Sequence, residues 1–261
     1  MHGVLLFGAV HLTAGKDLLL VLAGLGAGIF NGVAGGGTLL SFPVLLAVGF
    51  PALNANVTST VGIWPGYLSA VVGFRAEITD QGPRVRLLAP VAALGAVTGA
   101  ALLLTTSPAS FDRLAPWLVL FASLLFAVQP VLVRVLSGVP HDHPTRRLLL
   151  IVGTFATSVY GGYFGAGMGV MLLAVLGLAL PDTIARTSGM RTILSVLVNG
   201  VAAVIFMIHF ALLWVAVAML AVGSLVGGWV GAKVAVRLPA GALRAVVVVI
   251  GLGTAVRLLV G

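Results

Sequence analysis

Two glycine-rich stretches interrupt long apolar runs and constrain the fold more than any other feature of the sequence. The first is Gly28-Ile29-Phe30-Asn31-Gly32-Val33-Ala34-Gly35-Gly36-Gly37-Thr38, and the second is Gly161-Gly162-Tyr163-Phe164-Gly165-Ala166-Gly167-Met168-Gly169. Each glycine costs a helix about 1 kcal/mol relative to alanine, so we expect the helices to break at both places. Broken backbone inside a bilayer is tolerated only where protein buries it or water reaches it. Paired breaks in two halves of a chain are typical of a transporter's binding site.

The composition indicates a polytopic membrane protein. The chain is 60% hydrophobic and 8% charged, with a mean hydropathy of +1.21, whereas a soluble domain carries roughly 25% charged residues. The absence of cysteine excludes a disulfide framework, a thiolate metal site and a cysteine nucleophile. The net charge of +8 is attributed to cytoplasmic loops rather than to nucleic-acid binding. Residues 1–15 are interpreted as a leading segment, with a cleaved signal peptide as the alternative.

The apolar periodicity predicts an all-α fold in which each half contains a glycine-broken helical hairpin and three transmembrane helices. The first repeat covers residues 1–135, a polar cytoplasmic linker covers 136–147, and the second repeat covers 148–261. The predicted helical segments are 17–30, 38–48, 56–74, 87–104, 114–133, 148–160, 170–180, 187–208, 212–232 and 243–260.

The two halves match at an offset of 130 residues. Three glycines of the first break fall on glycines of the second, and the Ala-x-x-Thr/Ser pattern that follows each break also recurs. The matched pairs are Gly32 and Gly162, Gly35 and Gly165, Gly37 and Gly167, Ala55 and Ala185, Thr58 and Ser188, and Ser69 and Asn199.

The distribution of basic residues favours inverted repeats. If each broken run crossed the membrane once, the 14 Lys and Arg residues would divide eight inside and six outside. If each broken run returns to its starting side, the halves are inverted, the N-terminus lies outside and the linker inside, and the same residues divide eleven to three. The positive-inside rule favours the second topology. Arms of 11 to 14 residues would be about 17–21 Å long, which leaves open whether the hairpins are re-entrant or fully spanning.

The breaks provide a candidate anion site without a dedicated metal or cofactor. A helix N-terminus offers unpaired N–H groups and a partial positive charge, and glycine allows a ligand to approach the backbone. Two such termini near mid-membrane would bind an anion. The candidate binding residues are Asn31, Gly35, Gly36, Gly37, Thr38, Thr58, Ser59, Gly165, Ala166, Gly167, Ser188, Arg191 and Asn199.

Several of these residues have a structural alternative. Glycines in membrane helices also permit close helix packing, which is the interpretation preferred for Gly24, Gly28, Gly95, Gly99, Gly223 and Gly227. Arg191 either faces inward, where it would hold a negative charge, or snorkels to the cytoplasmic interface. His141, Asp142 and His143 resemble a metal cluster but are interpreted as part of the solvated linker. No carboxylate lies plainly inside a predicted span, which argues against a carboxylate proton relay and a metal-cation site.

The duplicated pattern resembles the sulfite exporter TauE/SafE family, also called the toluenesulfonate uptake permease family. The resembling motifs are Gly28-x-x-x-Gly32-x-x-Gly35-Gly36-Gly37 with Pro43, Ala55-x-x-Thr58-Ser59, Gly161-Gly162-x-x-Gly165-x-Gly167-x-Gly169 and Ala185-x-Thr187-Ser188, together with Gly95-x-x-x-Gly99 and Gly227-x-x-x-Gly231-Ala232-Lys233. The resemblance implies transport of sulfite, sulfonates or related organosulfur acids. In the second half, Ala166 and Met168 interrupt the glycine run and Pro43 has no counterpart, so the site is not expected to be strictly symmetric.

We therefore expect a secondary transporter in the plasma membrane that works by alternating access. The expected partners are a small anionic substrate, the lipid bilayer, protons as a coupling ion and a second copy of the chain in a homodimer. Nucleic acid and cofactors are not among them. A gated anion channel on the same scaffold is the first alternative. A membrane enzyme is the second, and the scattered histidines and few carboxylates argue against it.

Overall fold

The computed structural model describes residues 13–33, 35–136, 146–180, 182–234 and 240–260. Within these ranges the secondary structure is helical, as the apolar periodicity predicts. Most of the leading segment lies outside the described residues. So does the middle of the predicted linker, with His141, Asp142 and His143.

Eleven helices cover the described residues, and ten of them correspond to the predicted segments. The additional one is the single-turn helix α4, which lies between α3 and α5. The helices are α1 (Ala14–Val33), α2 (Thr38–Val48), α3 (Ala52–Gly73), α4 (Arg75–Ile78), α5 (Gly82–Thr105), α6 (Pro108–Leu136), α7 (Arg146–Tyr163), α8 (Met168–Ala179), α9 (Ile184–His209), α10 (Trp214–Val234) and α11 (Ala240–Val260).

Local capping explains why several helices begin earlier than their apolar runs. Thr183 precedes α9, and its side chain accepts a hydrogen bond from the Arg186 amide at 3.3 Å. The Ser107 hydroxyl accepts one from the Ser110 amide at 3.2 Å in the first turn of α6. Such side-chain acceptors satisfy amides that have no partner within the helix.

Both predicted breaks are present, and each separates two antiparallel arms. Lys16, at the start of α1, donates a hydrogen bond from Nζ to the Val48 carbonyl at the end of α2, at 3.1 Å. In the second pair of arms, Gly153 of α7 packs against Val175 of α8. Each broken run is therefore a hairpin that returns toward its starting point.

The predicted length of the first arms is wrong. Helix α1 has 20 residues and α7 has 18, so they measure about 30 Å and 27 Å rather than the lengths expected for 14 and 13 residues. Helix α1 continues through its glycines because a neighbour covers them. A side chain at Gly24 or Gly28 would clash with the backbone of α10. The interpretation of these glycines as packing residues is confirmed.

Five helices among the described residues are long and apolar enough to span a membrane, namely α1, α5, α9, α10 and the part of α6 from Pro108 to Val131. Together with the two short apolar helices α2 and α8, they make the chain a multi-pass membrane protein. This assignment agrees with the composition.

The packing of the helices interleaves the two halves. Helix α1 packs on α10 and α7 on α5, α3 packs on α10 and α9 on α5, and α2 packs on α11 and α8 on α6. The same set of pairs is obtained when each helix of one half is exchanged for its counterpart in the other half. The counterparts are α1 and α7, α2 and α8, α3 and α9, α5 and α10, and α6 and α11. Each hairpin therefore packs on helices of the other half.

A cluster of ion pairs ties the segment between α3 and α5 to the segment between α8 and α9. Asp182 forms salt bridges with Arg84 and with Arg186, the latter at 2.9 Å. Gln81 donates a hydrogen bond to the Arg186 carbonyl at 2.7 Å. The two segments consequently lie at the same end of the helix bundle.

Candidate functional site

The backbone at the two breaks is similar where α1 and α7 end but differs where α2 and α8 begin, since Gly37 has a φ of −56° and Gly167 a φ of +79°. Gly35 has a φ of +78° and Gly165 a φ of +80°, a left-handed conformation that favours glycine. The Gly35 amide donates to the Phe30 carbonyl at 2.9 Å, and the Gly165 amide donates to the Tyr160 carbonyl at 3.3 Å, five residues back in each case. The offset of 130 residues seen in the sequence therefore extends to individual backbone hydrogen bonds.

Asn31 stabilises the first break from the end of α1. Its Oδ1 accepts a hydrogen bond of 2.7 Å from the Gly37 amide, the residue that precedes α2. Its side chain is 1% exposed, and its Nδ2 has no partner within the described residues. Asn31 thus caps α2 and leaves a buried amide donor unused.

A short hydroxyl chain extends this arrangement to α3. Ser41 Oγ lies 3.3 Å from the Gly37 carbonyl and 2.6 Å from Ser59 Oγ. Ser59 is therefore linked to the first break through α2. Its neighbour Thr58 is fully buried, and the Oγ1 of Thr58 has no partner among the described residues.

Tyr160 stabilises the second break by a different bond. Its hydroxyl donates to the Ala166 carbonyl at 2.6 Å. Gly167, which precedes α8, is also left-handed with a φ of +79°, and it packs against Ala122 of α6. At this break the Tyr160 side chain donates to a backbone carbonyl, whereas at the first break the Asn31 side chain accepts from a backbone amide.

The two breaks contact each other. The Gly169 amide donates a hydrogen bond of 3.1 Å to the Gly35 carbonyl. A Cβ on Gly165 would lie 3.7 Å from Thr38 Oγ1 and 3.7 Å from Asn199 Oδ1. The start of α2, the second break and α9 therefore meet at one place.

Arg191 of α9 lies at this junction. Its side chain is 1% exposed, and its Nη2 approaches the Asn31 and Gly32 carbonyls, each at 3.4 Å. A Cβ on Gly35 would lie 2.8 Å from Arg191 Nη1. The alternative in which Arg191 snorkels to the interface is wrong, because the first break encloses the guanidinium group.

The charge of Arg191 has no counterion within the described residues. The salt bridges found there involve Arg84 and Arg186, and no carboxylate lies within 4.0 Å of Arg191. Its Nε has no hydrogen-bond partner among the same residues. A buried charge costs several kcal/mol unless it is paired. The junction is therefore electrostatically suited to receive an anion.

The amides at the two helix N-termini were expected to be free, and this expectation is wrong for two of these amides. Gly37 N–H is bonded to Asn31, and Gly169 N–H is bonded to Gly35. Both amides are held within the protein because the breaks are buried against each other. The positive charge at the junction comes chiefly from Arg191.

Of the remaining predicted residues, Gly36 and Ser188 lie around the junction, and Asn199 lies at its edge beside Gly165. Gly36 packs against the Phe126 ring of α6. Ser188 is half-buried one turn before Arg191, and its carbonyl accepts a bond from Thr192 at 2.8 Å. Asn199 is buried two turns after Arg191, and its Nδ2 donates to the Ser195 carbonyl at 3.0 Å.

The sequence analysis did not identify two buried polar residues of α3. The buried Tyr67 side chain lies close to Asn199 and to the charge of Arg191. Asn56 donates from Nδ2 to the Tyr163 carbonyl at 2.9 Å, and its Oδ1 has no partner among the described residues. Residues 56, 60, 63 and 67 share one face of a helix, and this spacing would have placed Tyr67 beside the polar residues already recognised.

Comparisons with known proteins agree with a transport site. The family described as sulfite exporter TauE/SafE matches residues 20–258. A probable membrane transporter protein of Haemophilus influenzae is 28% identical over 244 residues, covering 90% of this chain and 92% of the relative. The probable membrane transporter protein ORF9 of a Sinorhizobium species is 26% identical over 256 residues, covering 96% of this chain and 94% of the relative.

A third relative, the probable membrane transporter protein YfcA of Escherichia coli K12, is 23% identical over 239 residues, which cover 89% of this chain and 86% of the relative. No solved structure gives a significant match. The family match extends over both breaks and the buried arginine at their junction. The chain therefore belongs to the sulfite exporter TauE/SafE family and is a membrane transporter.

Proposed function

We propose that this transporter moves a small sulfur-containing anion, such as sulfite, a sulfonate or a related organosulfur acid, by alternating access. The observation that carries the proposal is the buried guanidinium group of Arg191 at the contact between the two breaks, without a carboxylate within 4.0 Å among the described residues. A sulfur oxyanion would supply the missing negative charge.

Neutral donors around Arg191 suit a tetrahedral oxyanion. Asn31 Nδ2 and Arg191 Nε are buried N–H donors without partners in the described part of the chain, and Thr58 Oγ1 is a buried hydroxyl without one. Oxyanions accept several hydrogen bonds at once, and bonds to a guanidinium group are roughly twice as strong as neutral ones. We assign Arg191 the role of charge partner and Asn31 that of orienting donor, and Thr58 remains a candidate hydroxyl donor.

Two contacts support inverted repeats. The Lys16 to Val48 hydrogen bond favours a first hairpin that returns to its starting side. The salt bridge between Arg84 and Asp182 brings together two segments that parallel repeats would separate across the membrane. With hairpins and three further crossings in each half, the N-terminus lies outside and the linker inside the plasma membrane.

Alternating access follows from the burial of the junction. Asn31, Thr38, Arg191 and Asn199 are each 1% exposed, so an anion reaches Arg191 only after helices move apart. We propose that the helices around one hairpin rock against those around the other, since the breaks meet at Gly35 and Gly169. Protons are the proposed coupling ion.

The proposal is tested by substrate counterflow in proteoliposomes containing the full chain. Vesicles loaded with sulfite, a two-carbon sulfonate or thiosulfate are assayed for uptake of the labelled form of each anion. We expect saturable counterflow of at least one of them. The Arg191→Met variant should lower the apparent affinity roughly 100-fold, because truncating a buried charge that pairs with its ligand costs about 3 kcal/mol.

The matched control is Arg113→Met, which removes an exposed arginine of α6 and should leave counterflow unchanged. Wild-type counterflow in Arg191→Met would contradict the assignment of Arg191. Flux that does not saturate and carries a large conductance would contradict the transporter mechanism and indicate a channel.

A further inference from the structure

A crevice on the outside of the helix bundle runs along α3, α5 and α9. Its wider part has a volume of about 720 Å³ and is lined by Val71, Arg75, Ile78, Val85, Arg86 and Ile193. Its narrower part is a separate cavity of about 450 Å³ along the same three helices, which begins at Val196, one turn after Ile193, and is lined by Trp64, Val97, Val196, Gly200 and Val204. The crevice is thus basic at one end and apolar at the other.

The two arginines that line the wide part, Arg75 and Arg86, differ in their charge partners from the nearby Arg84 and Arg186. Arg84 and Arg186 are engaged by Asp182, and Asp80 lies 3.9 Å from Arg186. Arg75 and Arg86 are exposed, and no carboxylate of the described residues lies within 4.0 Å of either one. The wide end therefore carries two positive charges that the protein does not neutralise.

The narrow part has the size and character of an acyl-chain site. From Ile193 to Val204, α9 rises about 17 Å, which is close to half of the ~30 Å hydrocarbon thickness. Val97 and Val204 are 45% and 48% exposed, so apolar surface faces the bilayer. The Trp64 indole is hydrogen bonded to the Val196 carbonyl at 3.0 Å, which fixes one wall.

We propose that this crevice binds one anionic phospholipid, with the phosphate at Arg75 and Arg86 and one acyl chain along Val97, Val196 and Val204. The basic end lies beside the loops that the charge distribution places at the cytoplasmic surface, where anionic headgroups attract arginine. The apolar end lies where an acyl chain would extend toward mid-membrane. This site is independent of the junction, which is on the buried side of α9.

Native mass spectrometry of the full chain in detergent tests the proposal, with dioleoyl phosphatidylglycerol and dioleoyl phosphatidylcholine as probes. The wild-type protein should retain phosphatidylglycerol about 25-fold more strongly than phosphatidylcholine. The double variant Arg75→Gln/Arg86→Gln should lose that preference, since each arginine near the surface contributes roughly a fivefold gain in affinity. A control that removes the same charge elsewhere is Arg113→Gln/Arg257→Gln, which should keep the preference.

A third variant, Val204→Trp, probes the apolar end. It should weaken retention of both lipids because an indole would fill the narrow part without touching the buried core. Equal retention of the two lipids by the wild-type protein would overturn the proposal. So would a double variant at Arg75 and Arg86 that behaves like its control, or unchanged retention of both lipids in Val204→Trp.

Discussion

The two helix breaks share a left-handed glycine after the first arm but are held by different side chains. At the first break, Asn31 accepts a hydrogen bond from the Gly37 amide, and Arg191 lies against the backbone of the break. At the second break, Tyr160 donates to the Ala166 carbonyl. The recurring left-handed glycine turns the chain at each hairpin tip, while the guanidinium group of Arg191 lies against the backbone of the first break.

This difference indicates that duplication and function have separate requirements in this chain. A left-handed glycine at Gly35 and Gly165 turns the chain in both halves. The second break supplies a supporting surface, since Gly169 bonds to Gly35. The proposed anion site therefore contains parts of both halves of the chain but is asymmetric, and substitutions at equivalent positions should have unequal effects.

The largest expected effect comes from Asn31→Asp. The new carboxylate can still accept the Gly37 amide, so the cap is retained, but it also gives Arg191 an internal counterion. We expect the affinity for the transported anion to fall about 100-fold, because a like charge beside a bound ligand costs several kcal/mol. Counterflow affinity and thermal unfolding in detergent measure the two consequences separately.

Tyr160→Phe is the corresponding change at the second break. It removes one hydrogen bond to the Ala166 carbonyl and should cost about 1 kcal/mol of stability while leaving the affinity unchanged. If Asn31→Asp kept normal affinity, or if Tyr160→Phe lost as much affinity as Asn31→Asp, the functional asymmetry of the two breaks would be wrong.

An intermediate effect is expected from alanine at the two turn glycines. Both substitutions introduce a left-handed alanine, which costs about 1–2 kcal/mol. At Gly35 the added Cβ would also lie 2.8 Å from Arg191 Nη1 and 2.8 Å from Gly169 Cα, whereas at Gly165 the nearest atom is 3.4 Å away. Gly35→Ala should therefore weaken anion binding roughly tenfold or more, since buried contacts of this kind are rarely tolerated.

Gly165→Ala should lower the unfolding temperature but keep the anion affinity within about twofold, because strain alone remains. Isothermal titration calorimetry and thermal unfolding of the two variants test this pair. Equal losses of affinity would mean that the conformation of the breaks, rather than the position of Arg191, controls binding.

The sequence predicts the helices and breaks well because their signals are local. Glycine-rich stretches and apolar runs each depend on neighbours in the chain. The length of α1 was predicted incorrectly because its glycines are stabilised by α10, a neighbour nearly 200 residues away in sequence. Helix propensity is overridden there by tertiary packing.

The site was predicted less completely because partner choice is not local. Arg191 could be recognised as a basic residue near a span, but only the folded chain places its side chain against Asn31 and Gly32. In the same way, the amides of Gly37 and Gly169 were expected to be free, and their acceptors lie on other segments of the chain. The candidate anion ligands, Arg191 included, remain predictions.

The comparison extends to the bases of the hairpins, where the smallest effect is expected. The first hairpin leads into α3 through Phe50 and Pro51, whereas the second leads into α9 through Asp182, which is paired with Arg84 and Arg186. Partial burial raises the pKa of Asp182, but the hydrogen bonds from Arg84, the Thr183 amide and Arg186 outweigh it and lower the pKa below its usual value. The second hairpin alone should therefore be sensitive to acid.

Because the folded-state pKa of Asp182 is depressed, its contribution to stability is complete above the unfolded-state value of about 3.9 and is lost as the pH falls through the folded-state pKa. We expect Asp182→Asn to lower stability at pH 7 by on the order of 1 kcal/mol and to reduce the further loss on acidification. Thermal unfolding between pH 7 and pH 3 measures both, with Asp112→Asn, an exposed carboxylate of α6, as the control. If acid destabilised Asp182→Asn and the wild-type protein equally, the ion pairs at the base of the second hairpin would not distinguish it from the first, and the difference between the hairpins would be confined to their tips.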